Sequence, residues 1–167
     1  MRGLSADVRP ADMRDLPHAD ASFDVVVCTD NALPHLLTED GVGQALRQMR
    51  RVVRPGGLVV ITTREYDTVI AERPTTAPVQ RSYVGDLRVV TTQLWDWRDG
   101  SPVYDVTHLQ VREIRRGEWA AVARAMTYRA WTRAELSTLA AAAGLPGSRW
   151  IAPEASGFFQ PVMLARR

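Results

Sequence analysis

The chain of 167 residues contains no lysine, so all 21 of its Lys and Arg positions are arginine. It has one cysteine, Cys28, and three histidines. A lone cysteine excludes an internal disulfide and makes a reducing cytoplasm the expected location. His18, His35 and His108 show no metal-ligand spacing, and Cys28 has no partner cysteine, so no metal site is expected. No apolar run approaches the roughly 20 residues that cross a bilayer, and the opening "MRGLSADVRP" lacks the apolar stretch of a secretion signal, so no membrane partner is expected. Neither a G-x-S-x-G elbow nor a Walker sequence occurs, which weighs against hydrolase and nucleotide-phosphatase chemistry. The sequence pI of about 9.1 invites a nucleic-acid reading. However, the densest basic cluster, Arg47, Arg50, Arg51 and Arg54, has helical spacing at a helix end and no interleaved aromatics to stack bases. A solvated helix face accounts for it, and nucleic acid is not an expected partner.

What is present is the composition of one ordinary domain, 46% hydrophobic and 24% charged, long enough to bury its own core. "ADVRPADM" reads as a short strand, and Phe23 to Val27 as an unbroken apolar strand covered on both faces, as in a parallel sheet. Val42, Ala45, Leu46, Met49, Val52 and Val53 recur with a period near 3.6 behind Thr38 as N-cap and Glu39 and Asp40 in the first turn, an amphipathic helix ended by Pro55-Gly56-Gly57. "LVVITT" is a second buried strand, completing a right-handed strand–helix–strand crossover. After the proline-containing "ERPTTAPVQ", Leu87 to Trp97, Val103 to Ile114 and Glu118 to Ala130 read as an antiparallel meander turned at Asp99-Gly100 and Arg116-Gly117. Thr132 with Glu135 forms a capping box and Trp131 with Leu136 a hydrophobic staple, starting a helix that stops at Gly144. "SRWIAP" and "FFQPVMLARR" close the chain as strands. The expected class is α/β, a single domain over residues 1–167 with an antiparallel insertion over residues 74–130.

Ligands in open α/β sheets sit beyond the C-terminal strand ends. Three polar clusters lie there: Asp12 to Asp15, Cys28 to His35, and Arg64 to Asp67. Sharing one rim, they can converge on one ligand. Each cluster alone also has a plain structural reading, Asn31 and Pro34 as a turn and Asp12 as a strand end.

Together, "ADMRDLP", "FDVVVCTDNALPHL" and "ALRQMRRVVRPGGLVVITT" resemble the central and later motifs of the class I S-adenosylmethionine-dependent methyltransferases, over Ala11 to about Asp67. The resemblance implies a partial Rossmann-like sheet, S-adenosylmethionine as cofactor and a small-molecule methyl acceptor. It places Asp12 and Met13 at the adenine, where a carboxylate accepts from an exocyclic N–H₂, and Cys28 and Thr29 near the sulfonium. A narrower resemblance, to the glycine and glycine/sarcosine N-methyltransferase group, rests on "NALPHL" and "TTREYDTVI". It implies that Arg64 holds a substrate carboxylate through a bidentate fork, that Asn31 positions the amine, and that Tyr66 and Tyr128 belong to the acceptor site. A lone tyrosine such as Tyr128, read by itself, is more often a core or surface residue. Thr63 stands where that group usually has histidine, Glu65 where it has asparagine, and Asp30 where it has glycine, which counts against glycine itself as acceptor. Transfer from an activated sulfonium relies on positioning and desolvation. His35 is the one candidate to assist proton removal, with anchoring of its own loop as the alternative.

The glycine-rich turn after a first strand, followed some 20 residues later by an acid for the ribose, has no counterpart in these residues. Two strands and two helices, on the order of 50 residues, are expected to be absent from the front, which implies weak or absent cofactor binding by this chain alone. The order expected for the family's sheet, 3-2-1-4-5-7-6, would leave Phe23 to Val27 with an unpaired edge, and a homodimer is the expected cover. The alternative to a methyltransferase is a noncatalytic remnant serving as a binding or dimerisation module.

Overall fold

A computed structural model describes residues 6–167. Two four-stranded sheets organise them. In the first, β1 (Phe23–Cys28) pairs in parallel with β2 (Val53–Thr62). The helix α1 (Glu39–Val52) makes the crossover between them. Thr38 caps α1 by accepting from the Gly41 N–H, Glu39 and Asp40 meet its positive end, and Arg50 and Arg51 its negative end. The apolar stripe of α1, including Val42, Ala45, Leu46 and Met49, is fully buried against the sheet. Helix α1 ends at Val52 and β2 starts at Val53, so Pro55-Gly56-Gly57 lies inside the irregular start of the strand, not between helix and strand. Gly57 is obligatory there, because a Cβ would sit 2.7 Å from the Asp24 carbonyl.

The sheet continues through β8 (Val162–Arg166), antiparallel to β2, to β7 (Arg149–Ile151). Helix α3 (Arg133–Ala142) packs beside α1, opened by the expected reciprocal bonds between Thr132 and Glu135. Trp131 and Leu136 join one core with α1, β1 and β2.

The expected strand over "ADVRPADM" does not form: residues 6–11 carry no strand, and Asp12 and Asp15 make only an isolated bridge across a turn. Pro10 lacks the N–H a ladder needs, and no strand lies alongside. Nor is β1 covered on both faces. It is an edge strand with Phe23, Val25 and Val27 exposed by 38, 47 and 58%, because α1 and α3 cover only the face that carries Val26.

The second sheet is antiparallel throughout, in the order β3 (Gln80–Val84), β4 (Leu87–Trp97), β5 (Val103–Arg115), β6 (Glu118–Arg129). Its hairpins turn at Gly85, Gly100 and Gly117, all with positive φ. Strand β3 was not expected, since it is exposed along its whole length and so has no burial pattern to read. Helix α2 (Tyr66–Glu72), also unexpected, joins the sheets, with Tyr66 entering a second core formed by Trp95, Tyr104, Val106 and Tyr128.

Candidate functional site

At the end of β1 the backbone turns through two consecutive left-handed residues, Asp30 at φ 58° and Asn31 at φ 63°. Asp and Asn are among the few side chains that tolerate this region. The Asp30 N–H donates to the Thr62 hydroxyl (3.1 Å), which donates to the buried Gln160 carboxamide (3.0 Å). The ends of β1 and β2 are thereby tied together.

Asn31, only 4% exposed, is bonded through both ends of its amide. Oδ1 accepts from the Thr63 hydroxyl (3.2 Å) and the Arg64 N–H (3.2 Å), and Nδ2 donates to the Tyr66 hydroxyl (2.9 Å). The Tyr66 and Tyr104 hydroxyls share a bond of 2.9 Å, and Tyr104 accepts from Arg64 Nη1 (3.3 Å). Burial pushes the Tyr66 phenol well above 10 and raises those of Tyr104 and Tyr128 as well. All three are therefore neutral at physiological pH, and none serves Arg64 as a counter-ion. Its guanidinium instead donates to Gln93 Oε1 (2.8 Å) and lies over the Trp95 ring, 4.7 Å from the centroid. The flanking carboxylates, Glu65 and Asp67, both turn to Arg133. Among the described residues no carboxylate pairs with Arg64, and a half-buried cation faces a cavity with only neutral partners. Such a cation favours an anionic ligand.

The cavity, about 730 Å³, lies between the strand ends and the inner face of the second sheet. Of the residues singled out from sequence, Asn31, Arg64 and Tyr128 line it. Tyr66 lies behind its wall, buried, with its hydroxyl turned to Asn31 and Tyr104. His35 does not line it; its ring stands edge-on to Tyr128, 4.6 Å between centroids. Asp12, Met13, Cys28 and Thr29 are not brought to it either. The structure adds Asp30, Gln93, Trp95 and His108, of which the last three lie on the meander. Their only sequence signal was alternation, which puts residues 93 and 95 on one face of β4.

On the cofactor side, the fit of the residues present is incomplete. Both Asp12 oxygens are taken by the Arg14 guanidinium, and the Arg14 N–H adds a further bond at 2.8 Å. These contacts hold the Asp12 carboxyl down to about 2, so it is ionised, and place Arg14 in competition with an adenine for its oxygens. Met13 is half-buried against the first core. Burial drives the Cys28 thiol up to about 11, so it is a neutral core group and not a nucleophile. Among the described residues there is no group of three His, Cys, Asp or Glu side chains that could hold a metal ion, and no helix long and apolar enough to cross a membrane.

Residues 2–61 match the methyltransferase domain family. Over 62 residues the chain is 39% identical to glycine N-methyltransferase of Rattus norvegicus, a match covering 35% of this chain and 21% of that protein. The structure is similar to DesVI of Streptomyces venezuelae (TM-score 0.75, 18% identity, 93% of this chain and 63% of that one). It is similar also to an S-adenosylmethionine-dependent methyltransferase of Clostridium acetobutylicum (0.72, 9%, 99% and 66%). A third likeness is to the sugar N-methyltransferase KedS8 of Streptoalloteichus (0.69, 19%, 94% and 60%). The match thus spans about a fifth of the curated relative, and the chain covers somewhat under two thirds of DesVI. Within that span, the chain carries the α/β fold of the class I S-adenosylmethionine-dependent methyltransferases, whose cofactor is S-adenosylmethionine, with an antiparallel meander beside the Rossmann-like sheet.

Proposed function

We propose that the cavity takes a small-molecule amine for methylation by S-adenosylmethionine. The observation that carries this reading is Arg64, a cation without a carboxylate partner, held beside Asn31 at the strand ends where the two sheets meet. The cofactor would supply an already activated methyl group. The chain's own residues would orient the acceptor and exclude water, Arg64 attracting its acidic group and Tyr128 and Trp95 walling the site. Asn31 acts as a positioning residue, because its amide oxygen and one amide N–H hold the Arg64 backbone and Tyr66. Asp30, which lines the same cavity, offers a carboxylate to the amine end. The sugar N-methyltransferase among the structural neighbours supports an amine acceptor larger than glycine, as does a cavity of about 730 Å³.

With Asp12 occupied by Arg14 and no glycine-rich turn in the sequence, affinity for S-adenosylmethionine should be weaker than micromolar for this chain alone. Calorimetry with S-adenosylmethionine and S-adenosylhomocysteine measures it, and tight binding would contradict that account. Methyl transfer to a panel of primary amines tests the reaction. Arg64→Ala should weaken acceptor binding at least tenfold and leave donor binding unchanged; equal loss of both would assign Arg64 a structural role.

The exposed, unpaired edge of β1 favours a second element of the reading, a cytoplasmic homodimer in which a second copy covers Phe23, Val25 and Val27. Light scattering at micromolar concentration tests this, and a clean monomer would refute it. If no amine is methylated and the dimer persists, the noncatalytic binding module is the reading that stands.

A further inference from the structure

The inner face of the meander continues past the cavity as an open trough, and its charges differ from those of the outer face. Cross-strand registers place Gln93, His108 and Arg124 in one row, Thr91, Gln110 and Val122 in the next, and Val89, Arg112 and Ala120 beyond. Alternation puts all of these on the face that carries Trp95 and Met126 at the cavity wall. On the outer face, Arg88 pairs with Glu113 (3.0 Å) and Arg98 with Asp105 (3.0 Å), whereas Arg81 bonds the Tyr83 hydroxyl. On the inner face, Arg112 and Arg124 pair with no carboxylate among the described residues, and those three rows contain no Asp or Glu. His108 lines both the main cavity and the trough, and so joins the two. With Arg64 bonded to Gln93 at the head of the first row, His108 and Arg124 follow across the strands and Arg112 stands on β5 two rows beyond His108, with no acid in those rows.

We propose that this trough is an anion subsite and that the acceptor is an amine carrying a phosphoryl tail, bound lengthwise with the amine beside Asp30 and the tail running from Arg64 along His108, Arg124 and Arg112. The inference rests on the acceptor reading above and names the substrate class. His108 and Arg124 share the row of Gln93 on the neighbouring strands, about 5 and 10 Å across the sheet, and Arg112 lies two rows along β5, about 13 Å beyond His108, so the tail would span about 5–14 Å from Gln93. Arginine forks suit phosphoryl oxygens, and a cluster of cations without acids attracts anions from solution.

The test needs neither cofactor nor turnover, so its failure is separate from any failure of the methyl-transfer reading. Inorganic pyrophosphate is titrated into the full chain at low salt, with calorimetry and the arginine Nε–H and histidine ring NMR signals as readouts. Saturable binding is expected to shift the His108 and Arg124 signals. Binding should weaken at least tenfold in Arg112→Gln/Arg124→Gln and remain unchanged in Arg47→Gln, an exposed arginine on α1. Three results would overturn the proposal: no saturation, equal weakening by Arg47→Gln, or succinate binding as tightly as pyrophosphate. Each variant exchanges an exposed side chain, and circular dichroism confirms that the fold compared is the same.

Discussion

Tyr66→Phe isolates the network that holds the site. The substitution keeps the ring, so it opens no cavity and leaves the second core packed; it removes one oxygen. That oxygen accepts from Asn31 Nδ2 and shares a hydrogen bond with Tyr104, both at 2.9 Å, and the side chains of Asn31, Tyr66 and Tyr104 are almost wholly inaccessible to water. Water cannot take its place. A buried donor left without a partner costs about 1–3 kcal/mol, and two neighbours each lose one bond. The Asn31 amide still holds Thr63 and Arg64 through Oδ1, which limits how far it can swing to recover. The expected loss is therefore about 2–4 kcal/mol, or roughly 5–12 °C in Tm for a domain of this size. Urea unfolding followed by circular dichroism measures it, with an unchanged m-value showing that only stability moved. Tyr83→Phe, at an exposed position on β3, is the control and should change stability by less than about 0.5 kcal/mol. A double cycle with Tyr104→Phe should give a coupling of about 0.5–3 kcal/mol, since the two hydroxyls share one bond. A loss under about 0.5 kcal/mol in Tyr66→Phe would refute the reasoning, because it would show that the buried hydroxyl chain does not hold the site together.

Gly57→Ala forces a Cβ to 2.7 Å from the Asp24 carbonyl and should cost about 1–3 kcal/mol through overpacking at the start of the β1–β2 ladder, read by urea unfolding. Asp30→Gly relieves the left-handed backbone at φ 58° and should gain about 0.5 kcal/mol, whereas a loss would show that the carboxylate makes a stabilising contact. The Tyr66 and Tyr104 phenols are raised above their ordinary value of 10 in the fold. Folding therefore favours their protonated forms, and their contribution is complete below pH 10 and lost as pH rises beyond it. The urea midpoint should be unaffected by these two groups up to about pH 10 and fall above it, with their phenolate absorbance appearing together with unfolding; absorbance appearing before unfolding would contradict their burial.

Local and periodic features were legible from the residues alone. Helix α1 announced itself through a 3.6-residue apolar period and a threonine cap, and α3 through a capping box that the structure reproduces bond for bond. The three long meander strands were marked by glycine turns. These signals depend on neighbours within a few residues, so no tertiary information is needed to read them. The short strand expected before Phe23 failed because strand formation needs a partner, and composition cannot say whether one lies alongside. Strand β3 was missed because it is exposed on both faces and so has no hydrophobic pattern.

Sequence determined which residue types reach the strand ends: Asn31 after β1, Arg64 after β2, and the absence of any lysine or second cysteine. Tertiary structure decided what those residues do. It closed Asn31 into a ring of bonds with Thr63, Arg64 and Tyr66, left Asp12 outside the cavity, and gave Arg64 neutral partners from β4 and β5, 29 and 40 positions away. It also left β1, expected to be covered on both faces, with one face open beside the unpaired edge that the expected strand order implied. The physical reason is the same each time. A side chain's chemistry is intrinsic, but its available partners and its access to water are set by segments far away along the chain, which only the folded packing brings together.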